Sequence, residues 1–239
     1  MSATPSRFAI PKPRRDVLVA GATGLVGQAL IETLLSGSAV GNVHALVRAE
    51  QPHWKRRTGV MQHVVSYPSG LGALPRADDA YCCLGTTIKT AGSQAAFRAV
   101  DFDAVVAFAR AARAAGATRI AIVSALGASA SSRVFYNRVK GEAEQAVHAL
   151  GFATLVIARP SLLLGDRAVL GQPTRPIERL AAALSAPLGW LLPQSVRPIE
   201  AQTVARAMVQ AMQQANRGTY VLESGDLQVM ARTATTVDV

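Results

Sequence analysis

Apolar residues recur along this chain in two alternating patterns. Val17, Leu18 and Val19 form an uninterrupted apolar run, as expected of a central parallel strand covered on both faces. Short runs at 42–48, 60–65, 79–84, 119–124, 153–158 and 218–223 predict further strands. Between strands the spacing lengthens to that of a helix. Leu25, Val26, Leu30, Leu34 and Leu35 form one apolar face after the first strand. Phe97, Val100, Val105, Phe108 and Ala112 keep a rough 3.6-residue period across 93–115. Further helices are predicted over 133–150, 177–185 and 198–215, the last presenting Val204, Ala207, Met208, Ala211 and Met212. Gly116 and Gly151 stop two of the helices, and the Gly/Pro-rich stretches 67–76 and 161–176 read as loops. Strand and helix in alternation with short connections predict an α/β chain: a doubly wound parallel sheet with helices on both faces. Past Pro160 the regularity breaks, so 161–215 is expected to build most of a small C-terminal substrate lobe. The organisation reads as a flexible arm over 1–15, a single domain over 16–227 and a short polar tail over 228–239.

Composition narrows the classes. Half of the 239 residues are hydrophobic, yet no run approaches the roughly 18 to 20 apolar residues of a membrane span, so none is expected. The stretch 1–15 has no apolar core segment and does not read as a secretory signal. Cys82 and Cys83 are the only cysteines; sequence neighbours do not pair with each other, which fits a reducing, cytoplasmic location. The net charge of +10 fits an arginine-rich solvated surface and also suits a phosphate-bearing ligand. Basic residues are scattered and aromatics are only 5%, so no nucleic-acid partner is expected. His44, His53, His63 and His148 lack ligand-like spacing, and no metal is expected.

Two constellations carry the chemistry. Gly21, Gly24 and Gly27 are spaced three apart between the first strand and the first helix. The dinucleotide fingerprint of a Rossmann fold needs glycines there, for a tight turn, for close approach to a pyrophosphate and for helix-strand packing. Gly21, Thr23, Gly24, Leu25, Val26 and Gly27 are the residues expected to hold it, at a helix N-terminus that favours anions. Arg48 ends the second strand, where an acidic residue would bind the ribose of NAD; a basic one favours the 2′-phosphate of NADP. Lys55, Arg56 and Arg57 follow in the next loop. In the second constellation Tyr136 and Lys140 lie four apart on one helical face. An ammonium beside a phenol favours the phenolate and makes tyrosine a usable acid or base. Ser124 ends the fifth strand, where open α/β sheets place their ligand crevice, and its hydroxyl could anchor a substrate carbonyl.

Together these motifs resemble a short-chain dehydrogenase/reductase of the atypical or extended kind. Cys83-Leu-Gly-Thr-Thr87, Val100-Asp101, Ser124-Ala-Leu-Gly-Ala128, Tyr136-x-x-x-Lys-Gly-Glu142 and Arg159-Pro-Ser-Leu-Leu-Leu-Gly165 resemble, more narrowly, the oxidoreductases related to Tat-interacting protein. The resemblance spans about Val17 to Gly218. It implies an NADP(H)-dependent oxidoreductase acting on a small carbonyl or alcohol, with Ser124, Tyr136 and Lys140 catalytic and NAD the less fitting cofactor. It implies that Leu84, Gly85, Thr86 and Thr87 line the ribose and nicotinamide side, that Lys140 reaches the nicotinamide ribose, and that Arg159, Pro160 and Ser161 lie against the nicotinamide. By analogy, the helices over 104–115 and 135–150 are candidate faces for a homodimer. Two departures matter. The fourth strand ends in Leu-Gly-Thr-Thr rather than Asn-Ala-Gly, and Asp101 and Asp103 stand where the Asn-Ala-Gly branch carries a relay asparagine. Asp101 reads equally as a cap, an ion-pair partner or a ligand contact. An NADP-binding regulatory protein with little catalysis is the alternative. So is a nucleotide-sugar epimerase or dehydratase, against which the short C-terminal lobe argues. Cys82, Cys83, Trp54 and Trp190 read as packing residues, and the apolar stretch 184–192 as a pocket wall.

Overall fold

The computed structural model of the protein describes residues 14–164 and 196–233. Its strands are β1 (Arg15–Ala20), β2 (Val40–Val47), β3 (Val60–Val64), β4 (Asp79–Cys82), β5 (Arg119–Val123), β6 (Thr154–Arg159), β7 (Leu163–Leu164), β8 (Ile199–Glu200) and β9 (Gly218–Glu223). Its helices are α1 (Leu25–Ser36), α2 (Ile88–Ala91), α3 (Gln94–Arg98), α4 (Val105–Ala114), α5 (Phe135–His148), α6 (Ala201–Gln214) and α7 (Ser224–Thr233). Seven strands form one sheet in the order β3-β2-β1-β4-β5-β6-β9. All its neighbours are parallel. The short strands β7 and β8 pair apart from it. The sheet order reverses between β1 and β4, so the ligand crevice of such a fold opens there, beyond the carboxyl ends of the strands.

Alternation along β1 divides the core in two. Val17 and Val19 face a cluster with Leu30, Ile31 and Leu34 of α1, Val204 and Met208 of α6 and Leu227 of α7. Leu18 and Ala20 face the other side, with Phe108 and Ala112 of α4 and Val147 of α5. A strand buried on both faces reads as a continuous apolar run, and this is why β1 was legible from sequence.

The predicted strands are present, with ends shifted by a few residues. Three expectations change. The helix over 93–115 is broken into α3, a π-helical segment (Ala99–Ala104) and α4. The helix at 198–215, assigned from sequence to a substrate lobe, packs through its apolar face into the main core beside α1. The stretch from Gln228, read as a polar tail, is helical as far as Thr233, because Leu227 and Ala231 are buried against that core. The helix expected over 177–185, the apolar stretch 184–192 and Trp190 lie outside the described residues, as does most of the arm over 1–15. Trp54 is buried as a packing residue, and Cys82 belongs to the core, where burial pushes its thiol up to about 12.

Candidate active site

The glycine turn follows β1 directly. Gly21 has φ +71°, and a Cβ on it would lie 2.5 Å from the carbonyl carbon of Cys83. A Cβ on Gly27 would lie 2.1 Å from the Gly21 oxygen. Both positions therefore exclude a side chain, the first through handedness and contact and the second through contact alone. The Gly24 N–H donates to Gly21 O at 3.0 Å and closes the turn. The N-cap residue of α1, Gly24, offers no side-chain cap, and no acidic residue stands in the first helical turn. The early N–H groups and the positive end of the helix are left for an anion. This uncapped, glycine-lined cradle at the switch point fits a dinucleotide pyrophosphate.

The cradle rests on the backbone of Cys83 and Leu84, and the turn after β4 leads on to a buried ion pair. Lys140 Nζ lies 2.8 Å from Asp101 Oδ1, with both side chains almost fully excluded from solvent. Asp101 Oδ2 accepts the Thr86 N–H at 2.9 Å. Lys140 also donates to the carbonyl of Val123, the last residue of β5, at 3.4 Å. Burial, the largest single effect, would lower the Lys140 pKa, but the Asp101 carboxylate, Tyr136 and Cys82 together outweigh it and hold the ammonium above its ordinary value. One turn earlier on α5, Tyr136 is half-buried with its ring 5.2 Å from that of Phe97.

The next strand ends are tied together by a second charged cluster. Ser124 N donates to Ala158 O at 2.7 Å, and Leu126 N to Pro160 O at 3.0 Å. Ser124 Oγ donates to Glu144 Oε1. Arg159 forks onto Glu144, with its Nε 3.0 Å and one Nη 2.6 Å from the two oxygens, and its other Nη reaches Glu223 at 3.0 Å. Ser161 Oγ donates to the Arg197 carbonyl and lies 2.9 Å from Ser224 Oγ.

The structure thus sets Gly21 against Leu84 and Gly85 against Lys140, joins Thr86 to Lys140 through Asp101, and brings Arg159 to Ser124 through Glu144. Thr87 turns away to cap α2, where Thr90 N donates to its Oγ1 at 3.2 Å. Arg48 lies exposed just past β2 and no ion pair among the described residues engages it. Lys55 and Arg57 are instead paired with Glu50 and Glu32. Sequence reasoning missed Glu144. Its signal was available: Tyr136, Lys140 and Glu144 are four apart and share one stripe of α5. Among the described residues there is no group of three or more His, Cys, Asp or Glu that could hold a metal, and no helix long and apolar enough to cross a membrane.

Sheet order and glycine turn together define a Rossmann-like fold, the kind that places a ligand crevice at its switch point. The chain belongs to the family of protein HTATIP2 and the FMP52 proteins. It is 34% identical to protein HTATIP2 of Rattus norvegicus over 201 residues, covering 82% of this chain and 80% of that one. It is 32% identical to FMP52 of Coccidioides immitis over 217 residues, covering 84% and 87%. A family model for the NAD-binding, male sterility protein type matches residues 19–67, from β1 through β3. Among solved structures, MoeE5 in complex with UDP-glucose and NAD superposes with a TM-score of 0.62 at 19% identity, covering 92% of this chain and 82% of that one. UDP-glucuronic acid 4-epimerase from Bacillus cereus in complex with NAD gives 0.63 at 15%, covering 87% and 76%. At such identities the likeness shows the fold alone. The expected cytoplasmic location is overturned: the fungal FMP52 relatives are named mitochondrial proteins. Two free, sequence-neighbouring cysteines do not choose among compartments.

Proposed function

We propose that the protein is an NADP(H)-dependent oxidoreductase acting on a small carbonyl or alcohol, with Tyr136 as acid/base and Lys140 as its activator. One observation carries the reading: a buried ammonium, held at the carboxyl ends of the strands beside the glycine cradle, one helical turn from a half-buried tyrosine. A nicotinamide dinucleotide bound there supplies the hydride. The chain's residues do the rest. The Gly21–Gly27 turn and the start of α1 take the pyrophosphate, and Arg48 takes a 2′-phosphate at the end of β2. Leu84, Gly85, Thr86 and Lys140 bound the ribose side. The Tyr136 hydroxyl gives its proton to the substrate oxygen in reduction and recovers it in oxidation, and the neighbouring ammonium favours the phenolate left behind. Ser124 anchors the substrate oxygen in its alcohol form, not as the carbonyl expected from sequence. Its proton is engaged by Glu144, so in this arrangement it offers lone pairs and accepts from a substrate hydroxyl.

The experiment is Tyr136→Phe. Turnover of NADPH with carbonyl substrates is expected to vanish while NADPH affinity is retained. Full activity in the variant would remove Tyr136 from the mechanism. Tight NADPH binding by the unaltered chain, with no oxidation across a broad carbonyl panel, would favour a regulatory NADP-binding role instead.

A further inference from the structure

We infer that Asp101 is the positioning residue of this site: it holds the Lys140 ammonium in place and ties it to the turn that follows β4. The inference rests on the reading of Tyr136 and Lys140 as acid and activator.

Asp101 is completely buried within the π-helical segment Ala99–Ala104. Such segments widen a helix by one residue and recur at functional sites. Its two oxygens have different tasks. Oδ2 accepts the Thr86 N–H, which fixes the turn 84–87. Oδ1 faces the Lys140 ammonium at 2.8 Å, the partner that compensates it. Gly85 lies against both partners: a Cβ there would be 3.4 Å from Asp101 Oδ1 and 3.4 Å from Lys140 Nζ. The pair, the turn and the glycine form one packed unit.

The groups that act on the ammonium come from four elements. Asp101 acts from the π segment, Tyr136 from the preceding turn of α5 and Cys82 from β4. The Val123 carbonyl approaches from β5. Glu144, the next carboxylate along α5, is already engaged by Ser124 and Arg159. Among the described residues, Asp101 is therefore the one carboxylate placed to keep Lys140 charged against its burial. A buried lysine without such a partner loses its proton readily, by up to about 3–5 pH units. A neutral amide at position 101 would keep the shape and the Thr86 bond and lose that hold.

The chain suits a direct measurement because it has only four lysines, Lys12, Lys55, Lys89 and Lys140. With lysine labelled by carbon-13 at the ε position, Lys140 can be titrated by NMR in the intact protein. In the unaltered chain it should remain charged above the ordinary lysine value of about 10.4. In Asp101→Asn its midpoint should fall by about one to three pH units. Turnover in the reductive direction should then gain an alkaline limb at the same pH as the NMR midpoint, a limb the unaltered chain lacks there. A Lys140 midpoint below the ordinary value in the unaltered chain overturns the inference, and that measurement needs no variant to fold. An unmoved midpoint in Asp101→Asn also overturns it. A moved midpoint with no matching limb reduces Asp101 to a structural partner and overturns its positioning role. If the unaltered chain reduces no carbonyl at all, the functional reading falls instead, and the NMR titration still decides whether Asp101 holds the charge.

Discussion

The two ends of the sheet hold buried charge in opposite ways. At the amino ends, Arg15, Asp79 and Arg119 are the first residues of β1, β4 and β5. The Asp79 carboxylate receives two N–H groups from Arg15, both at 2.8 Å, and two from Arg119, at 2.7 and 2.5 Å. A further Arg119 nitrogen reaches the Met212 carbonyl at 2.6 Å and ties α6 to the sheet. Planar guanidinium forks leave both carboxylate oxygens doubly engaged. At the carboxyl ends, Asp101 meets one backbone N–H and one ammonium. An ammonium is a compact charge with three donors on a flexible stem. It can satisfy a carboxylate and still turn a donor toward a ribose or a phenolate. The first cluster is closed chemistry that fixes a fold, and the second keeps capacity for a ligand.

The sharpest way to break this comparison is at Asp79. Asp79→Ala leaves two guanidinium groups without their carboxylate and should cost about 3–5 kcal/mol of stability. Urea denaturation checks the cost, and NADPH titration of the folded variant should give an unchanged Kd. A variant that keeps its stability but loses NADPH would mean that the amino end also serves the site.

The same contrast explains how much could be read in advance. The glycine turn, Arg48 and the Tyr136–Lys140 pair were visible because each depends on local spacing: a strand followed by a turn, or residues four apart on a helix. The strands were visible because burial on both faces writes a continuous apolar run. Asp101 was visible only as a residue with open roles, since its partner Lys140 is distant in sequence and a π segment sets its direction. Glu144 lay in plain view on the Tyr136 stripe, but only the fold shows that Ser124 and Arg159 converge on it from two strand ends. The Asp79 cluster escaped notice because its members, at positions 15, 79 and 119, meet only once the strands are stacked in parallel. The tail from Gln228 was misjudged because a half-apolar helix that docks on a core resembles a polar end until the core is known.

A milder test addresses selectivity at the carboxyl ends. Arg48 is exposed, so Arg48→Ala should change stability by no more than about 0.5 kcal/mol. If Arg48 takes the 2′-phosphate, the Kd for NADPH should rise about tenfold, or about 1.4 kcal/mol, while that for NADH stays put. Equal loss for both cofactors would remove Arg48 from the selectivity of the site and shift attention to Arg56, which is also exposed in the adjacent loop.

The smallest effect belongs to a polar pair at neither end. His44 on β2 and His63 on β3 face each other with Nδ1 and Nε2 3.0 Å apart. Burial lowers the pKa of both; for His44 the neighbouring His63 adds to this, while Asp16 opposes it. The unfolded chain therefore takes up protons first as the pH falls. The contribution of the pair is fully present above the unfolded value of about 6.5 and is lost as the pH drops below it toward the depressed folded values. The urea midpoint should be lower at pH 5.5 than at pH 7.5, and the drop should shrink in His63→Gln, where one of the two protonation events is gone. An equal drop in the variant would place the acid sensitivity elsewhere.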